Sequence, residues 1–123
     1  MVSRQQFAEH PPAPVDDLSR DTVLRLISQP MRRALLACLD QRDVPLAVAD
    51  VSKEIVQRTR DNPGDEVTEN EAEHCYLSLY HRDIPKLADY GIVTMNYEEN
   101  TVELTARGEA LVRNQDELLT QML

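Results

Sequence analysis

The chain has 123 residues, enough for one domain with a single modest core, and carries 22 acidic against 13 basic residues for a net charge of −9. With no Trp and one Phe the core must be aliphatic, and no apolar run approaches the roughly 20 residues that a bilayer-spanning helix needs, so no membrane-spanning helix is expected. The opening MVSRQQFAEHPPAPVDD lacks the apolar stretch of a signal peptide, which makes a cytoplasmic protein the expectation.

Residues 1–17 read as a flexible Pro-rich tail, because His10-Pro11-Pro12-Ala13-Pro14 forbids a helix. The ordered domain is expected from Leu18 to Leu123. Ser19 is placed to cap a first helix, with Asp21 near its positive end and Val23, Leu24 and Ile27 on one apolar face. Pro30 ends that helix. A second runs from about Met31 to Gln41, with Met31, Leu35, Cys38 and Leu39 at helical spacing. Val44-Pro45-Leu46 suits only a small strand or an extended link. A third helix, about 47–60, turns Val48, Val51, Ile55 and Val56 inward. Residues 61–68 form a loop punctuated by Pro63 and Gly64. Thr68 and Glu71 match a capping box that opens a fourth helix over about 69–90. Pro85 removes a backbone donor there, so a kink or split is expected near His81–Ile84. Gly91 stops the helix, since glycine reaches the left-handed conformation freely. Strands follow at 92–97 and 101–105, and Thr105 caps a last helix over about 106–121. The expected fold is mainly α with a small β-wing: a winged helix-turn-helix of about five helices and a two-stranded hairpin.

Three segments carry a family resemblance. They are Leu26-Ile27-Ser28-Gln29-Pro30-Met31-Arg32-Arg33-Ala34-Leu35-Leu36, Tyr76-Leu77-Ser78-Leu79-Tyr80-His81, and Ile84-Pro85-Lys86-Leu87-Ala88-Asp89-Tyr90-Gly91-Ile92-Val93. In this order and spacing, over about residues 20–105, the chain resembles ArsR-like winged-helix transcription regulators, and especially a group of uncharacterised haloarchaeal winged-helix proteins. The resemblance implies double-stranded DNA as partner. The charge pattern fits a halophile: Lys occurs only at Lys53 and Lys86 against eleven Arg, and surplus carboxylates keep a surface hydrated in concentrated salt.

Candidate DNA contacts are Ser78, His81, Arg82 and Lys86 on the fourth helix, with 78, 82 and 86 repeating at i, i+4. Arg82 has the chemistry to read a guanine through O6 and N7, Ser78 or His81 to assist, and Lys86 to meet phosphate. Asp83, beside Arg82, offers a competing partner. Arg32 and Arg33 would anchor the backbone from the start of the second helix. A homodimer is expected through Leu111, Leu118 and Met122 of the last helix, set against the partner's Val23, Leu24 and Ile27.

Other chemistry is thin. No catalytic set and no phosphate-cradling Gly loop appears, so no enzyme and no cofactor are expected. His74, Cys75 and His81 lack a convincing further zinc ligand. Cys38 and Cys75 read as small buried apolar residues, with a redox pair as the alternative. The acidic helix start (Glu69, Glu71, Glu73) and wing tip (Glu98, Glu99) favour the competing class, a protein-interaction or adaptor module that does not bind DNA.

Overall fold

Ser19 opens the first helix: its hydroxyl accepts the amide of Thr22 at 3.0 Å, the N-cap role expected for it. The computed structural model describes residues 18–60 and 66–122, with the side chains of 116–119, 121 and 122 not described. The tail 1–17, the loop breakers Pro63 and Gly64, and the side chains of Leu118, Leu119 and Met122 therefore lie outside the described residues. The elements are α1 (Arg20–Ile27), α2 (Pro30–Asp40), β1 (Leu46–Ala47), α3 (Val48–Thr59), α4 (Glu69–Ser78), a π-helical turn (Leu79–Asp83), α5 (Ile84–Asp89), β2 (Val93–Asn96), β3 (Thr101–Leu104) and α6 (Ala106–Met122). The fold is mainly helical with a small antiparallel sheet.

α4, the π-turn and α5 form one continuous helical rod, since every junction residue keeps right-handed helical angles. Pro85 explains the change of pitch. It cannot donate to the carbonyl four residues back, and the amide before it, on Ile84, bonds to the Leu79 carbonyl five residues back. The split falls at Leu79–Asp83, overlapping the expected site. The rod begins with the capping box. Thr68 Oγ1 accepts the Glu71 amide at 3.1 Å, and Glu71 Oε1 accepts the Thr68 amide at 3.1 Å. It ends at Gly91, where φ is +74°. There the Ile92 amide bonds to Leu87 O and the Gly91 amide to Ala88 O, both at 2.9 Å, which closes a Schellman turn.

The expected hairpin forms as β2–β3, and the small strand allowed at Val44-Pro45-Leu46 joins it as β1. The sheet has three strands in the order β1-β3-β2, with Leu46 opposite Val102 and Ala47 opposite Thr101. The free edge of β3 takes up the short link, and the Val48 amide extends the ladder to Asn100 O at 2.9 Å. β2 and β3 alternate as their pattern requires, with Val93 opposite Leu104 and Met95 opposite Val102. Tyr97 leaves the strand and is exposed. The turn is held by Asn96 Oδ1, which accepts the amides of Glu98 and Glu99 at 3.0 and 3.1 Å.

One aliphatic core joins all helices and the sheet: Ile27, Leu35, Leu36, Ile55, Leu79, Ile84, Leu87, Ile92 and Leu111 are each at most 1% exposed. Burial of each such side chain contributes roughly 1.5–3 kcal/mol. Part of the dimer surface expected from the sequence is used within the chain itself. Val23, Ile27 and Leu111 are buried inside a single chain, where α6 packs on α1 and α2, and Leu24 is half-buried against the same core. Helical periodicity marks an apolar face without saying which chain covers it.

Cys38 and Cys75 are free and buried. Burial, aided by a hydrogen bond to Glu54, pushes the Cys38 thiol up to about 12. Burial and then the Asp83 charge raise Cys75. The folded state keeps Cys38 protonated while the unfolded chain ionises near the ordinary value of about 8.5. Its contribution to stability is therefore complete below about pH 8.5 and is lost as pH rises toward about 12. Urea midpoints across that range should fall more steeply for the parent than for Cys38→Ala; equal slopes would remove the assignment.

Candidate functional site

Asp83 is the centre of the site. It sits on the last residue of the π-turn and is fully buried. A buried carboxylate is costly unless paired and hydrogen-bonded. Arg32 Nε reaches its Oδ1 at 3.2 Å from the first turn of α2. Arg82 Nε reaches the same oxygen at 3.2 Å, and Arg82 Nη2 reaches Oδ2 at 3.3 Å. Ser78 Oγ stands 3.5 Å from Oδ2. Three of the six expected DNA-contact residues thus converge on one carboxylate.

Their exposures differ sharply. The Arg32 side chain is 12% exposed and Arg82 is 59% exposed. Arg32 also sets Nη1 3.4 Å from Leu26 O, so it ties three elements together. Arg33 is drawn to the same helix end: its Nη1 donates to Ile27 O at 2.6 Å. The paired arginines of the Pro-Met-Arg-Arg run thus satisfy the last carbonyls of α1. The expected role of Arg33 as a backbone anchor has to compete with that bond.

Lys86 is exposed one turn beyond Arg82, with its ammonium 5.9 Å from the centre of the Tyr90 ring. Lys86, Arg32 and Arg25 line one surface cleft between α1, the start of α2 and α5. Nothing in the sequence marks Arg25 as a contact, because its helix carries no motif. Arg32 thus links two groups: with Arg82 it holds the Asp83 carboxylate, and with Arg25 and Lys86 it lines the cleft.

His81 is exposed and lies apart from the Asp83 group, edge-on to Tyr80 at 5.1 Å. Tyr80 stacks on Tyr76 at 5.7 Å and meets Tyr97 edge-on at 5.9 Å. These rings join the rod to the end of β2. His74 and Cys75 line one cleft that His81 does not reach, and no group of three or more potential metal-ligand side chains gathers among the described residues.

The acidic start of the rod is less available than it reads. Glu71 is engaged by Thr68 and by Arg60 Nη2, which lies 2.8 Å from both carboxylate oxygens. The Thr68 amide foremost, and then Arg60, lower its pKa below the usual range. Glu69 and Glu73 remain exposed, as do Glu98 and Glu99 at the hairpin tip. No described helix is long and apolar enough to cross a membrane.

No curated protein and no solved structure matches the chain. A family model matches residues 24–103, more than half of the chain, and that span holds the whole Asp83 cluster and the cleft residues Arg25, Arg32 and Lys86. The chain belongs to the family described as a domain of unknown function (DUF7344).

Proposed function

We propose that this chain is a DNA-binding transcription regulator, an ArsR-like winged helix-turn-helix protein of a halophilic archaeon. In this reading the rod Glu69–Asp89 is the recognition helix, α3 its partner and β2–β3 the wing. The observation that carries it is a cationic face in a chain of net charge −9: Arg32 and Arg82 meet the Asp83 carboxylate, and Arg32 also lines a cleft with Arg25 and Lys86. Most DNA affinity comes from phosphate neutralisation and counterion release, so a concentrated patch matters more than the global charge. Asp83 holds Arg82 by two of its nitrogens, Nε and Nη2, and pre-orients an arm that still projects into solvent. Pre-orientation lowers the entropy lost on binding.

The test is selection from randomised duplexes in molar KCl, followed by anisotropy on the enriched duplex. Arg82→Ala is expected to weaken the selected duplex by about 1–3 kcal/mol and random duplex by less. Lys86→Ala is expected to weaken both alike and to flatten the salt slope by about 1. Failure to enrich any sequence, with no duplex bound at low or high KCl, removes the proposal.

A second reading, a protein-interaction adaptor, is supported by the hairpin tip. Tyr97 is 59% exposed there beside Glu98 and Glu99, an aromatic and acidic surface unsuited to phosphates. Under that reading the duplex selection returns nothing.

A further inference from the structure

We infer that the cleft between α1, the start of α2 and α5 is a binding site for one phosphate group. The cleft has a volume of about 210 Å³. That is room for a tetrahedral oxyanion and several waters, at about 30 Å³ per water.

Its lining holds three cations, Arg25, Arg32 and Lys86, and no carboxylate. This runs against the composition of the chain, in which 22 acids outnumber 13 bases. Asp21 and Asp89, the acids nearest in sequence on α1 and α5, line none of it. Arg32 is the fixed wall, pinned through Nε to buried Asp83 and through Nη1 toward Leu26 O. Arg25 and Lys86 make no ion pair among the described residues, so their charges are offered to the cleft and to solvent. Thr22, also in the lining, accepts a hydrogen bond from Ser19 Oγ at 2.8 Å and retains its own hydroxyl proton to donate. The Ser28 hydroxyl is already spent on Arg25 O at 2.8 Å, and Tyr90 supplies an aromatic wall beside Lys86. Two guanidiniums, an ammonium and a hydroxyl converging from three helices suit an anion with several charged oxygens.

A free phosphate and a backbone phosphodiester offer the same oxygens, so the inference stands apart from duplex recognition. The test is a pair of titrations in molar KCl on the ¹⁵N-labelled protein, one with inorganic phosphate and one with a random-sequence duplex. Saturable amide shifts at residues 22–29 and 86–90 with phosphate alone assign a free phosphate. The same shifts with duplex alone assign the DNA backbone. Either response should weaken at least roughly tenfold in the Arg25→Ala, Lys86→Ala double variant and persist in Lys53→Ala, an exposed cation outside the cleft. Circular dichroism of the double variant confirms that it is folded. No shift at these residues with either probe overturns the site, even if the duplex binds elsewhere. Phosphate binding without any duplex binding leaves the site standing and removes the regulator reading instead.

Discussion

Arg32→Ala is expected to destabilise the fold by close to 3 kcal/mol, whereas Arg82→Ala is expected to cost at most about 1 kcal/mol. Both guanidiniums lie 3.2 Å from the same Asp83 oxygen, so contact distance alone predicts equal losses. Burial separates them. Arg32 is 12% exposed and forms the inner wall against a fully buried carboxylate. Removing it leaves the charge inside the protein with only a solvent-side partner. Breaking a buried pair costs roughly 3–5 kcal/mol, and the remaining Arg82 contact places the loss at the lower end. Arg82 is 59% exposed, so water replaces much of what it gives. Joint replacement, Arg32→Met with Asp83→Leu, should recover most of the loss because no charge stays buried. Urea midpoints of the four proteins decide the matter; equal losses for the two single variants would contradict the burial argument. The small cost at Arg82 also makes it a clean probe of DNA binding, since weaker binding in that variant cannot be ascribed to unfolding.

Gly108→Ala is expected to destabilise by about 3 kcal/mol, toward or beyond the upper end of the usual cost of overpacking. Helix propensity alone gives the opposite sign, since Ala is favoured over Gly by about 1 kcal/mol within a helix. The tertiary contact outweighs it. A Cβ on Gly108 would stand 2.1 Å from Ile92 O and 2.8 Å from Leu104 Cδ2. Ile92 O cannot simply retreat, because it accepts the Thr105 amide and the Thr105 hydroxyl, both at 3.1 Å. Relieving the clash moves α6 off the strand junction and strains those bonds, each worth about 1 kcal/mol. Gly91→Ala acts by another route. Its Cβ would meet nothing nearer than Arg107 Nη1 at 3.5 Å, but φ is +74°, which costs an L-residue roughly 1–2 kcal/mol. Thermal melts should therefore rank Gly108→Ala below Gly91→Ala and both below the parent. A Gly108→Ala protein as stable as the parent would show that α6 does not dock as described.

The features legible in the sequence are those whose causes are local. Ser19, the Thr68–Glu71 box and Thr105 cap helices through atoms within three residues of themselves. Pro85 alters hydrogen bonding within one turn, and Gly91 ends the rod through its own φ. The alternation of Val93, Met95, Val102 and Leu104 sets the buried face of the hairpin.

The candidate site is legible only in part. Ser78, Arg82 and Lys86 share a helical spacing that a sequence displays, and their neighbourhood was expected. That Arg32 would meet Asp83, 51 residues away, depends on how α2 crosses the rod. Arg25 enters the group only through the cleft that this crossing creates.

By itself the sequence determined where helices begin and end, which faces are apolar and where the chain turns, because capping, backbone angles and periodicity act over a few residues. Only the tertiary structure decided that β1 completes the sheet and that Val23, Ile27 and Leu111 are consumed within one chain. It alone decided that Gly108 must have no side chain and that Asp83 is the anchor of a cationic face. Each of these depends on contacts between distant segments, and a pattern of residue types states what a surface needs without stating what covers it.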